Sequence, residues 1–408
     1  LRTADRAATG QTLPIYQRIQ DHPAYDSFWK KISVREKIDR VHIPVFSVGG
    51  WYDNYVESDL EAFGTLNKIA GRKNGLQRIM VGPWPHNMSI KFPGIDFGPD
   101  SAAPVRAYQL EWFDHWLKGI AEQDALRQYS GIWHNVRSEV TEAPVHIFVM
   151  GANRWRDEQD WPLARTQYTP LYLAGKGHAN SLNGDGALEW KPSKKDKADQ
   201  FLYDPKKPVP TVGGAVCCNP KIFPWGPMDQ RSVERRSDVL VYTTKPLKKA
   251  LEVTGPVRVM LYAATSMPDT DFTAKLVDVF PNGEARNLTD GLTRLRYRAG
   301  LQKPVLARPR EIYPITIDAG VTSNVFLSGH RIRLEVSSSN FPRFDRNPNT
   351  GRPLAEETVL KKADQTVYHS PQYASRIILP IIPEMTSTPA SHYVAKKNST
   401  DRLTFKAR

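Results

Sequence analysis

The pattern of apolar and polar residues changes character along the chain. Residues 13–40 carry aromatic and aliphatic side chains at helical spacing, interrupted by Pro23, which predicts two short helices. Residues 42–50 (HIPVFSVGG) then form a β-branched apolar run without polar alternation, the mark of a strand buried on both faces of a parallel sheet. After a loop at Trp51, Tyr52, Asp53 and Asn54, residues 56–68 predict a helix lying on that sheet. Residues 77–82 (QRIMVG) predict a second short buried strand, running into Pro83, Trp84, Pro85, His86 and Asn87. Residues 104–120 predict an amphipathic helix with Pro104 at its start and Gly119 near its stop. This β-α-β-α order is the tail of an α/β sheet, since two strands do not make a stable sheet alone.

Beyond Val145 the texture becomes β. Short runs of β-formers at residues 146–150, 170–173, 239–243, 257–264, 272–280, 312–317, 331–337 and 375–380 alternate with Gly, Pro, Asn and Asp. That predicts an all-β sandwich of the jelly-roll type. Residues 175–216 are polar and rich in Lys and Gly, which reads as a long surface excursion. No internal repeat is visible.

Composition bounds the function classes. A chain of 408 residues exceeds one comfortable core, so two or three units are expected. With 40% hydrophobic and 24% charged residues it is ordinary globular material, which excludes a disordered chain. No apolar run approaches the roughly 18 residues of a membrane span, so a soluble protein without a membrane partner is expected. The excess of 56 Lys+Arg over 43 Asp+Glu gives +13, but pairs such as Lys194 and Lys195 or Lys361 and Lys362 are scattered and lack interleaved aromatics. A solvated basic surface is therefore expected, not a nucleic-acid partner. Cys217 and Cys218 are adjacent, so a bridge between them closes almost no loop and does not hold the fold together; the compartment stays open. The opening residues, from Leu1, carry no initiator Met or signal-like segment and read as the middle of a longer polypeptide.

Catalytic groups of doubly wound sheets sit just past the C-terminal ends of strands. Asp53 and His86 occupy that position after the two predicted strands, in the order acid then histidine of the hydrolase sequence Ser, Asp, His. A carboxylate fixes the imidazole tautomer and stabilises the imidazolium formed when His takes a serine proton. The plainer alternatives are a helix cap for Asp53 and a proline-anchored loop residue for His86. No G-x-S-x-G elbow is present; Ser27 and Ser33 lie in the helical opening, Ser47 inside the strand, and Cys217 and Cys218 come after the histidine. The nucleophile is expected upstream of Leu1. Trp51 and Trp84 flank the pair and are expected to wall the site. Asp269, Asp271, Asp278 and Asp290 match no EF-hand spacing and read as strand-end turn residues, so no metal or cofactor is expected. The Arg- and aromatic-rich segment 340–347 reads as packing between the two units, with Arg343 or Arg346 paired to Asp345 or to an acid across the interface.

Several long motifs are similar to the CocE/NonD hydrolases, the cocaine-esterase-like acylases related to X-Pro dipeptidyl-peptidases. They are GGWYDNY (residues 49–55), GPWPHN (82–87), FDHWLKG (113–119), VMGANRWRDEQDWPLA (149–164), DTDFTAKLVDVFPNG (269–283) and SGHRIRLEVSSSNFPRFDRNPNTG (328–351). The resemblance implies the C-terminal part of an α/β-hydrolase domain with the remnant of a helical cap, followed by a galactose-binding-like jelly-roll β-sandwich. Residues 1–40 would then be the end of the cap, 41–142 the hydrolase strands and helices, and 143–408 the jelly roll. It further implies Asp53 as triad acid, His86 as triad base and Tyr55 as a lining of the acyl pocket. Where the related α-amino acid ester hydrolases place carboxylates two and three positions after the acid, Tyr55 and Val56 stand here, against amino-ester substrates. The expected function is acyl transfer on a small-molecule ester or amide, by an esterase or an X-Pro peptidase, with a homodimer among the expected assemblies. The alternative is a jelly-roll module that holds a carbohydrate or other ligand without catalysis.

Overall fold

A computed structural model of the protein describes residues 3–71, 76–121, 124, 143–194, 198–217, 219, 221 and 224–383. Helix α1 (Ala4–Thr9) precedes the two short helices that the spacing of residues 13–40 predicts, α2 (Pro14–Asp21) and α3 (Ser27–Ile32), and a 3₁₀ turn at Arg35–Arg40 follows them. Asp26 caps α3 by accepting the Phe28 N–H at 2.9 Å. This segment is tied to the distant β region, where Tyr25 N–H reaches the Leu301 carbonyl at 2.9 Å.

Strand β1 (Val45–Tyr52), helix α4 (Val56–Ile69), strand β2 (Gln77–Pro85) and helix α5 (Val105–Lys118) follow where the pattern places them. The two strands are parallel, with Val45 opposite Gln77 and Tyr52 opposite Pro85. Alternation splits β2 between two faces. Ile79 and Val81 share a core with Val56, Leu60 and Phe63 of α4, while Met80 and Trp84 pack with Val105 of α5. A buried ion pair, Arg78 to Glu111 at 3.0 Å, fixes α5 to β2.

The sheet does not end at two strands. Strand β3 (Val145–Val149) pairs with β2 in parallel, Ile79 facing Val145, and β4 (Arg154–Glu158) pairs with β3 antiparallel. The expected boundary at residue 143 therefore cuts through a hydrogen-bonded sheet. The reason is that β3 satisfies the free edge of β2, which local patterning cannot reveal.

The remaining strands are β5 (Gln167–Ala174), β6 (Ala187–Glu189), β7 (Ala198–Tyr203), β8 (Leu240–Thr243), β9 (Leu251–Thr265), β10 (Asp271–Val279), β11 (Ala285–Arg294), β12 (Tyr313–Phe326), β13 (Arg331–Ser337), β14 (Ala363–Tyr368) and β15 (Arg376–Ile382). They form one large sheet in the order β11-β10-β13-β8-β6-β5-β15-β9-β14-β7, with β12 paired to β9. Strand β12 also lies against β11 at the far end of that order, where the Thr289 hydroxyl donates to the Ala319 carbonyl at 2.8 Å. The fold is thus a mixed α/β sheet followed by a large β domain, and one buried apolar cluster runs through both.

Three expectations about the β region are corrected. Residues 175–216 are no excursion: they contain β6 and β7, and Leu188, Phe201, Tyr203 and Val209 are buried. The four aspartates are not turn residues at the surface but buried acids, each held by a partner: Asp269 by Arg296, Asp271 by Arg294, Asp278 by His330 and Asp290 by Arg343. Arg343 therefore turns inward to β11 and does not pair with Asp345, while Arg346 donates to the Pro205 carbonyl at 3.2 Å. Cys217 is disulfide-bonded, and Cys218 lies outside the described residues.

Candidate active site

Asp53 and His86 are the first residues past β1 and β2. Because Tyr52 stands opposite Pro85, the two side chains emerge side by side. The close approach of the strand tips depends on Gly50, where a methyl group would come within 2.1 Å of the Trp84 carbonyl oxygen. At this point the register shifts, between Gly50 and Tyr52.

His86 Nδ1 lies 3.1 Å from Asp53 Oδ2 and 3.3 Å from Oδ1. With the carboxylate on that side, Nδ1 carries the proton and Nε2 is left as the acceptor. Asp53 is itself fixed: its Oδ1 accepts the Tyr55 N–H at 3.0 Å, and its own N–H donates to the Gly50 carbonyl at 2.8 Å. The helix begins only at Val56, so Asp53 is not its cap; it closes the turn that leads into it. The pair has the asymmetry acid–base work needs, an acid at 9% exposure beside an imidazole at 50%. Tyr55 meets the imidazole edge-on, ring centroids 5.3 Å apart, and is itself half exposed. Among the described residues His86 hydrogen-bonds no hydroxyl group, and no group of His, Cys, Asp or Glu could hold a metal ion.

Trp51 and Trp84 do not wall this site. Each is 1% exposed. The Trp51 indole N–H donates to the Phe148 carbonyl at 2.7 Å, and that of Trp84 to the Ser101 carbonyl at 2.7 Å. Side chains sealed by this chain's own β3 and by the loop before α5 are core, and their indole groups are satisfied there.

One neighbour of the pair has no counterpart in the sequence reading. Asp59, on α4, is pushed up to about 6 by partial burial and by the charge of Asp53, with His86 pulling it down. An acid in the first turn of a helix is commonplace because it complements the helix dipole, so the sequence offers no signal that this one faces inward. The β region also reaches this helix: Asp318 of β12 adds to the burial that raises the Glu57 carboxyl, and Arg343 opposes it.

The family described as the X-Pro dipeptidyl-peptidase C-terminal non-catalytic domain matches residues 138–378, and the X-Pro dipeptidyl-peptidase (S15) family matches residues 2–88, the segment that carries both Asp53 and His86. The chain is 42% identical to cocaine esterase of Rhodococcus sp. over 93% of its own length and 63% of that protein's. It is 27% identical to a putative serine esterase of Mycobacterium tuberculosis over 83% of its length and 50% of the relative's. It thus spans less than two thirds of the curated relatives it matches. Among solved structures it is similar to an aminopeptidase from a Thaumarchaeota archaeon (TM-score 0.78, 27% identity, 94% of this chain and 62% of that one). It is also similar to an α-amino acid ester hydrolase (TM-score 0.75, 27% identity, 92% and 62%). With a family pattern covering more than half of its length, the chain belongs to the X-Pro dipeptidyl-peptidase C-terminal non-catalytic domain family.

Proposed function

We propose that Asp53 and His86 are the acid and base of a serine-hydrolase triad that acts by acyl transfer on small-molecule esters or amides, with the nucleophilic serine carried by polypeptide upstream of Leu1. The observation that carries this reading is the placement of the two side chains: 3.1 Å apart, at the tips of adjacent parallel strands, the acid sheltered and the imidazole open. In the first step the serine hydroxyl attacks the substrate carbonyl carbon while its proton passes to His86 Nε2. Asp53 holds the Nδ1 proton and stabilises the imidazolium. The imidazolium then gives its proton to the departing alkoxide or amine, and the acyl group stays on serine until water, deprotonated by the same imidazole, releases it. Donors for the oxyanion are assigned to the upstream polypeptide as well.

Tyr55, edge-on to the imidazole, lines the acyl side, which suits an apolar acyl group. With Tyr55 and Val56 after the acid, an ester or amide without a free α-ammonium is the favoured substrate. The large β domain, read as a jelly roll, acts as a support beside α4, where Asp318 and Arg343 act electrostatically on Glu57. A ligand-holding module without chemistry would have no use for an acid and a histidine aligned at strand tips. In the complete enzyme, Asp53→Asn should lower kcat by about 10⁴-fold with KM nearly unchanged, because the amide favours the wrong imidazole tautomer. A variant that keeps kcat within a few-fold of the parent would refute the assignment.

A further inference from the structure

Where the small sheet meets the β domain, the packing leaves a cavity of about 160 Å³. An engineered protein core with roughly that much space holds benzene, so this one has room for a single ring. Its wall comes from both units: Tyr52 of β1, Phe97 of the loop after β2, Met150 after β3, Leu288 of β11, and Phe280 and Leu327 after β10 and β12. Asp53 and His86 do not line it. Tyr52, Phe97, Met150 and Leu288 are buried, whereas Leu327 is 42% exposed and forms the rim.

Polar groups set into this wall hold one another. Asp278 Oδ1 accepts from His330 Nδ1 at 2.8 Å, and its Oδ2 lies 3.5 Å from the Asn324 amide nitrogen. The Arg286 guanidinium donates to the Pro93 and Pro227 carbonyls, each at 2.8 Å, and pairs with Glu284. His330 keeps one atom in reserve. With the Asp278 carboxylate on its side, Nδ1 carries the proton, and Nε2 is an acceptor that makes no hydrogen bond among the described residues. Phe280 holds the imidazole in place, ring centroids 4.5 Å apart. A buried acceptor without a donor is a standing desolvation cost, which a ligand hydroxyl removes. The two buried charges beside the cavity, Asp278 and Arg286, are each engaged already, so a charged ligand would be desolvated there without a counter-ion. The space suits a neutral molecule.

We propose that this cavity is a binding site for a small neutral aromatic alcohol, of the phenol class, whose ring packs among Phe97, Met150, Phe280 and Leu288 and whose hydroxyl donates to His330 Nε2. Three of those four side chains offer aromatic or thioether contacts, which favour a flat ring over a branched aliphatic alcohol. The site is separate from Asp53 and His86 and does not depend on their role. Its place at the junction of two units is where small-molecule pockets concentrate.

The test is a titration of the 408-residue chain with phenol and, separately, with toluene, which has nearly the same shape without the hydroxyl. The Met150 methyl signal, assigned with Met150→Leu, reports occupancy by NMR. Phenol should shift it saturably, and toluene should bind about tenfold more weakly, the worth of one hydrogen bond to a buried acceptor. Leu327→Trp, at the exposed rim, should weaken phenol by about tenfold or more by filling the mouth. Tyr55→Ala, at the candidate acyl pocket, should leave phenol affinity unchanged. Toluene binding as tightly as phenol would overturn the hydroxyl contact with His330 and the proposal with it. A Met150 signal that phenol leaves unmoved up to its solubility limit would overturn the site altogether. A shift abolished by Tyr55→Ala and kept in Leu327→Trp would put phenol in the candidate acyl pocket and overturn it equally.

Discussion

Two Asp–His pairs in this chain share the same chemical groups and differ in everything around them. In the β domain, His369 Nε2 meets Asp199 Oδ2 at 2.9 Å with both side chains at 0% exposure. Asp199 also accepts from the Tyr242 hydroxyl at 2.7 Å and the Ala179 N–H at 2.8 Å. At the sheet tips, His86 meets Asp53 with half of its imidazole open. A sealed imidazole has no route for exchanging a proton with a substrate, however well its carboxylate is placed. Pairing alone therefore does not make a histidine a candidate base; pairing at a strand end with half of the imidazole open is what makes His86 one. The same contrast separates the acids: Asp269, Asp271 and Asp199 of the β domain are matched by Arg or His, whereas no ion pair is formed by Asp59 beside the candidate site among the described residues.

The comparison breaks most readily at Asp199. Asp199→Asn should destabilise the chain by about 3 to 5 kcal/mol, the usual cost of removing one partner from a buried pair, as read by urea unfolding. Burial pushes the Asp199 carboxyl up, but the hydrogen bonds from His369, Ala179 N–H and Tyr242 outweigh it and hold the carboxyl below its usual range. Its stabilising contribution is accordingly complete above the ordinary carboxylate range and lost as pH falls through the lowered value. The variant should show a flatter acid limb, and an unchanged limb would remove Asp199 from the account. Asp53→Asn, by contrast, should leave the urea midpoint nearly where it is while lowering kcat of the complete enzyme by about 10⁴-fold.

A smaller and opposite effect is expected at Asp59. Its folded carboxyl is raised from 3.8 to about 6, so the native state holds a proton that the unfolded chain has given up, and stability falls as pH rises between those values. Asp59→Asn removes that cost. It should stabilise the chain by about 1 to 2 kcal/mol at pH 8, allowing for partial solvent screening, and by nothing below pH ~4. A destabilised variant at pH 8 would mean that the carboxylate is a structural asset after all.

How far the sequence announced these features depends on whether the signal is local. The unbroken apolar runs before Trp51 and Pro83 gave β1 and β2, and with them the strand-end placement of Asp53 and His86. The joining of β3 and β4 to the same sheet was hidden, because pairing between Ile79 and Val145 leaves no trace in either segment alone. Trp51 and Trp84 were misread for a related reason: nearness in sequence to the candidate pair says nothing about which partners close over a side chain. Residues 175–216 looked like surface because lysines and glycines dominate, yet every second residue of β7 is buried, Asp199, Phe201 and Tyr203 among them. Alternation over six residues was there to be found, and the composition around it masked it. Asp59 could not have been found, since facing inward is a property of the helix and sheet together.

The central claim is that His86 is the base of the reaction, and the dependence of kcat/KM on pH in the complete enzyme tests it most directly. The account predicts a rise with pH, as the imidazole becomes able to accept the serine proton. Variants at His42 and His115, assigned to surface or packing positions, should keep that rise, and His86→Ala should reduce kcat/KM at least as severely as Asp53→Asn. A His86→Ala enzyme that retains most of its esterase activity, with the rise intact, would contradict the claim.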